Sequence, residues 1–154
     1  MAKITIDGLP GLRRRLGSEV CVSDWLEVSQ DRINRFAAAT GDFQWIHVDV
    51  ARAERESNTR TTIAHGLLTL SLLPKFLAEG VELAGVRMGV NYGFNRVRFT
   101  APVPSGARVR ARFAIAALEE LEGGVQITWG VTVELEGDQR PALVAEWLNL
   151  RYFS

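Results

Sequence analysis

A single long apolar segment, Ile63 to Ala78, sets the architecture. It is too long for an ordinary strand and lacks strict period-two alternation, so it reads as a buried helix that Gly80 stops. Four strand-like runs follow: Met88 to Phe99, Ala107 to Ala117, Val125 to Leu135 and Ala142 to Phe153. They are separated by turn-forming stretches at Pro102 to Gly106, Gly123–Gly124 and Gly137 to Pro141. Arg108, Arg110 and Arg112 alternate with Val109 and Ala111, the pattern of a sheet with one wet face. Helices first and a three-hairpin antiparallel meander second is an α+β pattern. The long apolar helix is the one element able to cover the sheet's apolar face.

Ahead of that helix, residues 8–17 read as a short polar helix or loop, and Val20 to Val28 as a first strand. Ser29 is placed to cap a helix carrying Ile33, Phe36 and Ala37 on one face, which Thr40 and Gly41 end. Asp42 to His47 follows as a loop, and Val50 to Glu56 as a short charged helix.

With 154 residues the chain is expected to form one domain, 1–154, whose core removes roughly 68–70% of the unfolded surface from water. Lys and Arg together number 18, as do Asp and Glu, so the net charge is zero. That balance argues against a nucleic-acid or anionic-membrane binder, whose affinity would rest on a basic excess. Cys21 is the only cysteine, which excludes an intrachain disulfide and a multi-cysteine zinc site and fits a reducing cytoplasm. The stretch Ile63 to Leu73 is interrupted by His65, Gly66, Thr69 and Ser71 and is too short to span a bilayer. No export signal and no membrane span are expected.

Only two histidines occur, His47 and His65. Asp42 lies five positions before His47, about 140° away on a helix and on the opposite face of a strand, so the two converge only across a turn. Gly41 supplies the freedom for that turn. Phe43, Trp45 and Ile46 would exclude water and favour acid–base work by a carboxylate–imidazole pair. The spacing alone equally allows Asp42 to cap a turn and His47 to be a satisfied half-buried side chain. Thr61-Thr62-Ile63-Ala64-His65-Gly66-Leu67 leads into the long helix, where unpaired N–H groups suit a polarised carbonyl and Gly66 leaves room for it; a threonine cap with close helix–sheet packing reads the same residues structurally. Ser71, among leucines, reads as a hydroxyl bonded to the carbonyl four residues back. His47 and Asp49 lack an evident third ligand, so no metal is expected. Trp25, Trp45, Trp129 and Trp147 read as core or subunit-interface residues.

The run Phe36-Ala37-Ala38-Ala39-Thr40-Gly41-Asp42-Phe43-Gln44-Trp45-Ile46-His47-Val48-Asp49, followed by Ile63-Ala64-His65-Gly66-Leu67-Leu68-Thr69-Leu70-Ser71, resembles the MaoC-like (R)-specific enoyl-CoA hydratases, in their short nodulation-protein-N-like branch. Asn91-Tyr92-Gly93 and the strand Val97 to Val103 extend the resemblance over nearly the whole chain. It implies a single hot-dog fold, a curved antiparallel sheet wrapped around a long central helix. It also implies that Asp42 and His47 hold and activate one water, and that Gly66 N–H polarises the thioester carbonyl. Ser71 would support the dyad, and His65 and Asn91 would complete the oxyanion and substrate-binding set. The implied reaction is reversible syn hydration of a trans-2-enoyl-CoA to an (R)-3-hydroxyacyl-CoA, with coenzyme A part of the substrate, no separate cofactor, and a homodimer as the working unit.

One departure stands out: the commoner family loop has Asn-Pro where this chain has Gln44-Trp45, so packing of Trp45 is expected to hold the loop instead. Two other readings remain. A hot-dog thioesterase would often use a carboxylate on the central helix, but Leu67 to Ala78 contains no Asp or Glu and Glu79 sits at its end. A non-catalytic acyl-CoA or acyl-carrier binding module would not need the acid–base pair. Arg96, Arg98 and Lys75 are candidates for the coenzyme A phosphates.

Overall fold

A computed structural model describes residues 2–154. In chain order the elements are β1 (Ile4–Asp7), α1 (Gly8–Arg14), β2 (Glu19–Val22), β3 (Leu26–Glu27), α2 (Gln30–Thr40), α3 (Trp45–Val48), α4 (Val50–Glu56), α5 (Gly66–Ser71), α6 (Leu73–Gly80), β4 (Val81–Ala84), β5 (Val86–Phe99), β6 (Arg108–Leu121), β7 (Gly124–Leu135) and β8 (Leu143–Phe153). The main sheet runs β2-β6-β7-β8-β5, with β3 also on β6, and its pairings are all antiparallel. β1 and β4 form a separate parallel pair.

Alternation explains the sheet's two faces. Val109, Ala111, Phe113 and Ile115 of β6 and Val125, Ile127, Trp129, Val131, Val133 and Leu135 of β7 are buried. They meet Leu72, Leu73, Phe76 and Leu77 from the helical segment in one hydrophobic cluster. Each large side chain buried in this way contributes about 1.5–3 kcal/mol. On the wet face, Arg110 and Arg112 both reach Glu134, and the Arg110 guanidinium lies 4.3 Å from the centre of the Trp25 ring. Trp129 and Trp147 are core residues.

The helix over 30–40 forms as expected: Ser29 Oγ accepts from Arg32 N–H at 3.2 Å, and Gly41 ends it in the left-handed conformation at φ 80°. Four expectations need correction. The strand over Val20 to Val28 is two pieces, because Ser23 Oγ takes the Ala111 N–H in place of a main-chain carbonyl and breaks the ladder. The helix over Ile63 to Ala78 starts only at Gly66 and is jointed at Leu72, since Pro74 fits the first turn of a new helix and not the interior of an old one. The meander has two hairpins, not three: β5 pairs with β8, and residues 100–107 carry the chain across to β6. Finally, the loop expected over Asp42 to His47 turns helical at Trp45, as α3, once the Asp42 turn is complete; β1 and β4 were not expected at all.

That crossing segment builds the site. Ala64 N–H donates to Val103 O at 2.8 Å, Ser105 N–H to Thr62 O at 2.9 Å, and Ile63 N–H to Ile46 O at 3.0 Å. Residues 62–64 are thereby fixed between α3 and the loop before β6.

Candidate active site

Asp42 and His47 do converge across a turn. Asp42 Oδ1 accepts from Gln44 N–H at 3.3 Å, and His47 N–H closes on Gln44 O at 3.0 Å as α3 begins. The Arg52 guanidinium sits 4.2 Å from the centre of the Trp45 ring, so Trp45 secures the loop from outside. From inside, Gln30 Nε2 donates to His47 O at 2.8 Å while Gln30 Oε1 accepts from the buried Thr62 hydroxyl.

The hydrogen bonds fix both imidazole tautomers. A carbonyl oxygen only accepts, so His47 Nδ1–H donates to Ile63 O at 2.7 Å and leaves Nε2 as a free acceptor. By the same reasoning His65 Nε2–H donates to the main-chain oxygen of Asp42 at 3.0 Å. His65 Nδ1 is then a buried lone pair with no partner among the described residues. Both rings are buried, and His65 is packed between His47 and Phe36, with centroid distances of 3.8 and 4.9 Å. The Asp42 carboxylate is half exposed and 4.0 Å from His65 Nε2.

One ligating atom from each of Asp42, His47 and His65 lies within 4.8 Å of the others. Three such donors satisfy the count for a divalent metal. In this arrangement, however, His65 spends Nε2–H and His47 spends Nδ1–H on carbonyls. A metal would have to take His47 Nε2, Asp42 and the buried His65 Nδ1.

Asp42, His47, His65 and Gly66 share a cavity of about 380 Å³ with Thr69 and Phe99. A Cβ on Gly66 would lie 2.8 Å from the Phe99 ring, so this position needs glycine for space alone. Ser71 and Asn91 are not among the lining residues. Ser71 Oγ donates to Leu67 O at 2.7 Å, the bond to the carbonyl four residues back, and faces a second hollow beside Asn91, Phe94 and Trp147. Sequence reasoning missed Gln30, Thr62 and Phe99, whose roles depend on long-range contacts with no local pattern. Of the phosphate candidates, Lys75 pairs with Glu79 and Arg98 Nη1 donates to Val97 O at 2.8 Å.

The fold is a hot-dog domain, and the family and relatives it matches place it in the hydratase and dehydratase class, the hydro-lyases. The chain belongs to the MaoC-like family: the MaoC like domain matches residues 13–136. It is 48% identical over 143 residues to 3-hydroxyacyl-thioester dehydratase Z of Mycobacterium tuberculosis, covering 92% of this chain and 94% of that one. It is 45% identical over 141 residues to nodulation protein N of Rhizobium leguminosarum, covering 90% and 88%. Its fold matches the solved (R)-hydratase from A. caviae with a TM-score of 0.68 at 23% identity, over 87% of this chain and 94% of that one.

Proposed function

We propose that the chain is an (R)-specific enoyl-CoA hydratase, adding water reversibly and syn to trans-2-enoyl-CoA. The observation that carries this reading is the His47 tautomer. With Nδ1–H held by Ile63 O, the Nε2 lone pair is available beside the Asp42 carboxylate in a cavity that Gly66 also lines. Water is held by the pair and loses one proton to it as its oxygen bonds to C3. The C2=C3 electron pair moves toward the thioester oxygen, which the Gly66 N–H stabilises. The pair then returns one proton to C2 from the same face. One proton is taken and one given, so the addition is syn and the site is regenerated.

The 48% identity to a protein named as a 3-hydroxyacyl-thioester dehydratase supports a thioester substrate, dehydration being the reverse of this step. The thioesterase reading gains nothing: Glu79, at the far end of α6, is paired with Lys75.

The working unit we propose is a homodimer joined along β5. Among the described residues that strand has a partner on one side only, β8, and it exposes Met88, Val90, Tyr92, Phe94 and Phe99. An open edge of this length and apolarity invites pairing. Phosphate contacts to coenzyme A fall to Arg96 and Arg98, which are exposed on the same strand. A reducing cytoplasm accords with the lone, buried Cys21.

The test is hydration of crotonyl-CoA in deuterium oxide. The reading expects the deuteron at C2 on the same face as the new C3 hydroxyl; anti placement contradicts a single acid–base pair acting from one side.

A further inference from the structure

A second cavity, of about 430 Å³, lies between α6, β4 and the end of the sheet. Its apolar lining includes Leu77, Val81, Leu83 and Trp147, yet Arg151 and Asn91 line it too, and the charges of Lys3 and Glu82 offset one another on its wall. Residues 147, 149 and 151 of β8 alternate onto the helix-covered face, so Asn149 and Arg151 are polar groups where the pattern calls for apolar ones.

These groups are organised. Asn149 is fully buried, and its Oδ1 accepts from both Trp129 Nε1 at 3.0 Å and Arg151 Nη2 at 2.9 Å. Asn149 Nδ2 in turn points to Asn91 Oδ1 at 3.4 Å. Across the strand pair, Gly89 faces Arg151, and a Cβ there would collide with Arg151 Nη1, so the missing side chain makes room for the guanidinium. Among the described residues, Arg151 Nε is buried with no hydrogen-bond partner, and no carboxylate forms an ion pair with this side chain. Burial lowers the pKa of its guanidinium below the usual arginine range. A half-buried cation held in one orientation without a counter-ion is costly to fold, and the cost is offset when an anion is bound.

We propose that this cavity binds a carboxylate carried on a short apolar chain, with Arg151 as the residue that holds it. The planar guanidinium matches a carboxylate's two oxygens, and the Asn91 amide is placed to add a donor. The apolar side chains of Leu77, Val81, Leu83 and Trp147 give a chain behind the carboxylate a surface that a hydrated inorganic anion would not use. The acid is either a free small-molecule ligand or the distal end of an acyl substrate; the second source rests on the hydratase reading.

The experiment is calorimetric titration of the intact protein with sodium hexanoate, and with 1-hexanol as the uncharged control. Saturable hexanoate binding that hexanol does not match is expected. It should weaken by about tenfold or more in both Arg151→Gln and Gly89→Ala. Gly89→Ala keeps the charge and displaces only the flexible end of Arg151, so a fold retained by circular dichroism separates loss of the site from loss of structure. Equal binding of hexanoate and hexanol, or hexanoate binding unchanged in both variants, overturns the proposal. A kinetic arm compares trans-2-dodecenedioyl-CoA with trans-2-dodecenoyl-CoA. A preference for the carboxylate-tipped thioester that Arg151→Gln abolishes assigns the acid to the substrate; no preference alongside hexanoate binding assigns it to a free ligand. Failure to hydrate any thioester removes the hydratase reading and leaves the hexanoate result to stand or fall alone.

Discussion

The imidazoles of His47 and His65 stack at 3.8 Å with their planes 23° apart, and each spends one N–H on a main-chain carbonyl, His47 on Ile63 and His65 on Asp42. The bonds cross: the residue before Ala64 and His65 holds His47, and His65 holds the loop from which His47 comes. His65 is therefore a positioning residue. Replacing it with Ala removes the Asp42 anchor and a ring packed against Phe36 and His47. We expect kcat to fall at least tenfold, with a stability loss of about 2–4 kcal/mol read from urea unfolding.

Asp42→Asn and His47→Gln should each cost about 10²–10⁴-fold in kcat, the range of a placed proton-transfer group. Unfolding of the Asp42 variant should be close to normal, because its carboxylate is half exposed. Near-normal turnover in either variant rules out the dyad.

Gly66→Ala places a methyl 2.8 Å from the Phe99 ring. A loss of about 1–3 kcal/mol in stability is expected, with turnover impaired. Phe99→Ala in the same chain should recover the stability, since the half-exposed ring is what the methyl meets. Denaturant midpoints of the single and double variants measure this.

How much of this was readable in advance differs by element. The alternation of Arg108, Arg110 and Arg112 with buried neighbours is a local signal and was legible, as were the Ser29 cap and the turn that brings Asp42 to His47. The position of β5 beside β8 was not, because strand order is decided by long-range pairing and a crossing loop leaves no periodicity. The joint at Leu72 was marked by Pro74, but the apolar run through it masked the break. His65 was placed correctly at the start of the central helix, yet its stacking on His47 depends on residues 62–64 being pinned by the 103–105 loop. Arg151 reads in sequence as one more polar residue on a half-wet strand; only the pairing opposite Gly89 shows it turned inward.

Burial, then the nearby Glu19, raises the Cys21 thiol from 9.0 to about 11. The neutral thiol is a poor nucleophile. Iodoacetamide at pH 8 should label the native protein far more slowly than the urea-unfolded one. Because the folded pKa is the higher, the thiol's contribution to stability is intact below pH 9 and lost as pH rises toward 11.

Glu134 has its carboxyl held below the usual range by hydrogen bonds from Arg112 and then Arg110. A depressed pKa gives stability that is present above the unfolded value of 4.5 and is lost as pH falls through the folded one. Glu134→Gln should cost about 0.5–1 kcal/mol at pH 7, a figure already reduced for solvent screening. The gap between the two proteins should close as acid is added, which urea unfolding at several pH values measures.

The central claim is the reaction itself. The most direct measurement is loss of the conjugated enoyl-thioester absorbance when the purified protein meets crotonyl-CoA, octenoyl-CoA and dodecenoyl-CoA, with chiral analysis of what forms. Accumulation of the (R)-3-hydroxyacyl thioester, abolished in His47→Gln, is the predicted result. Release of free thiol without hydration, or the (S) product, would contradict it.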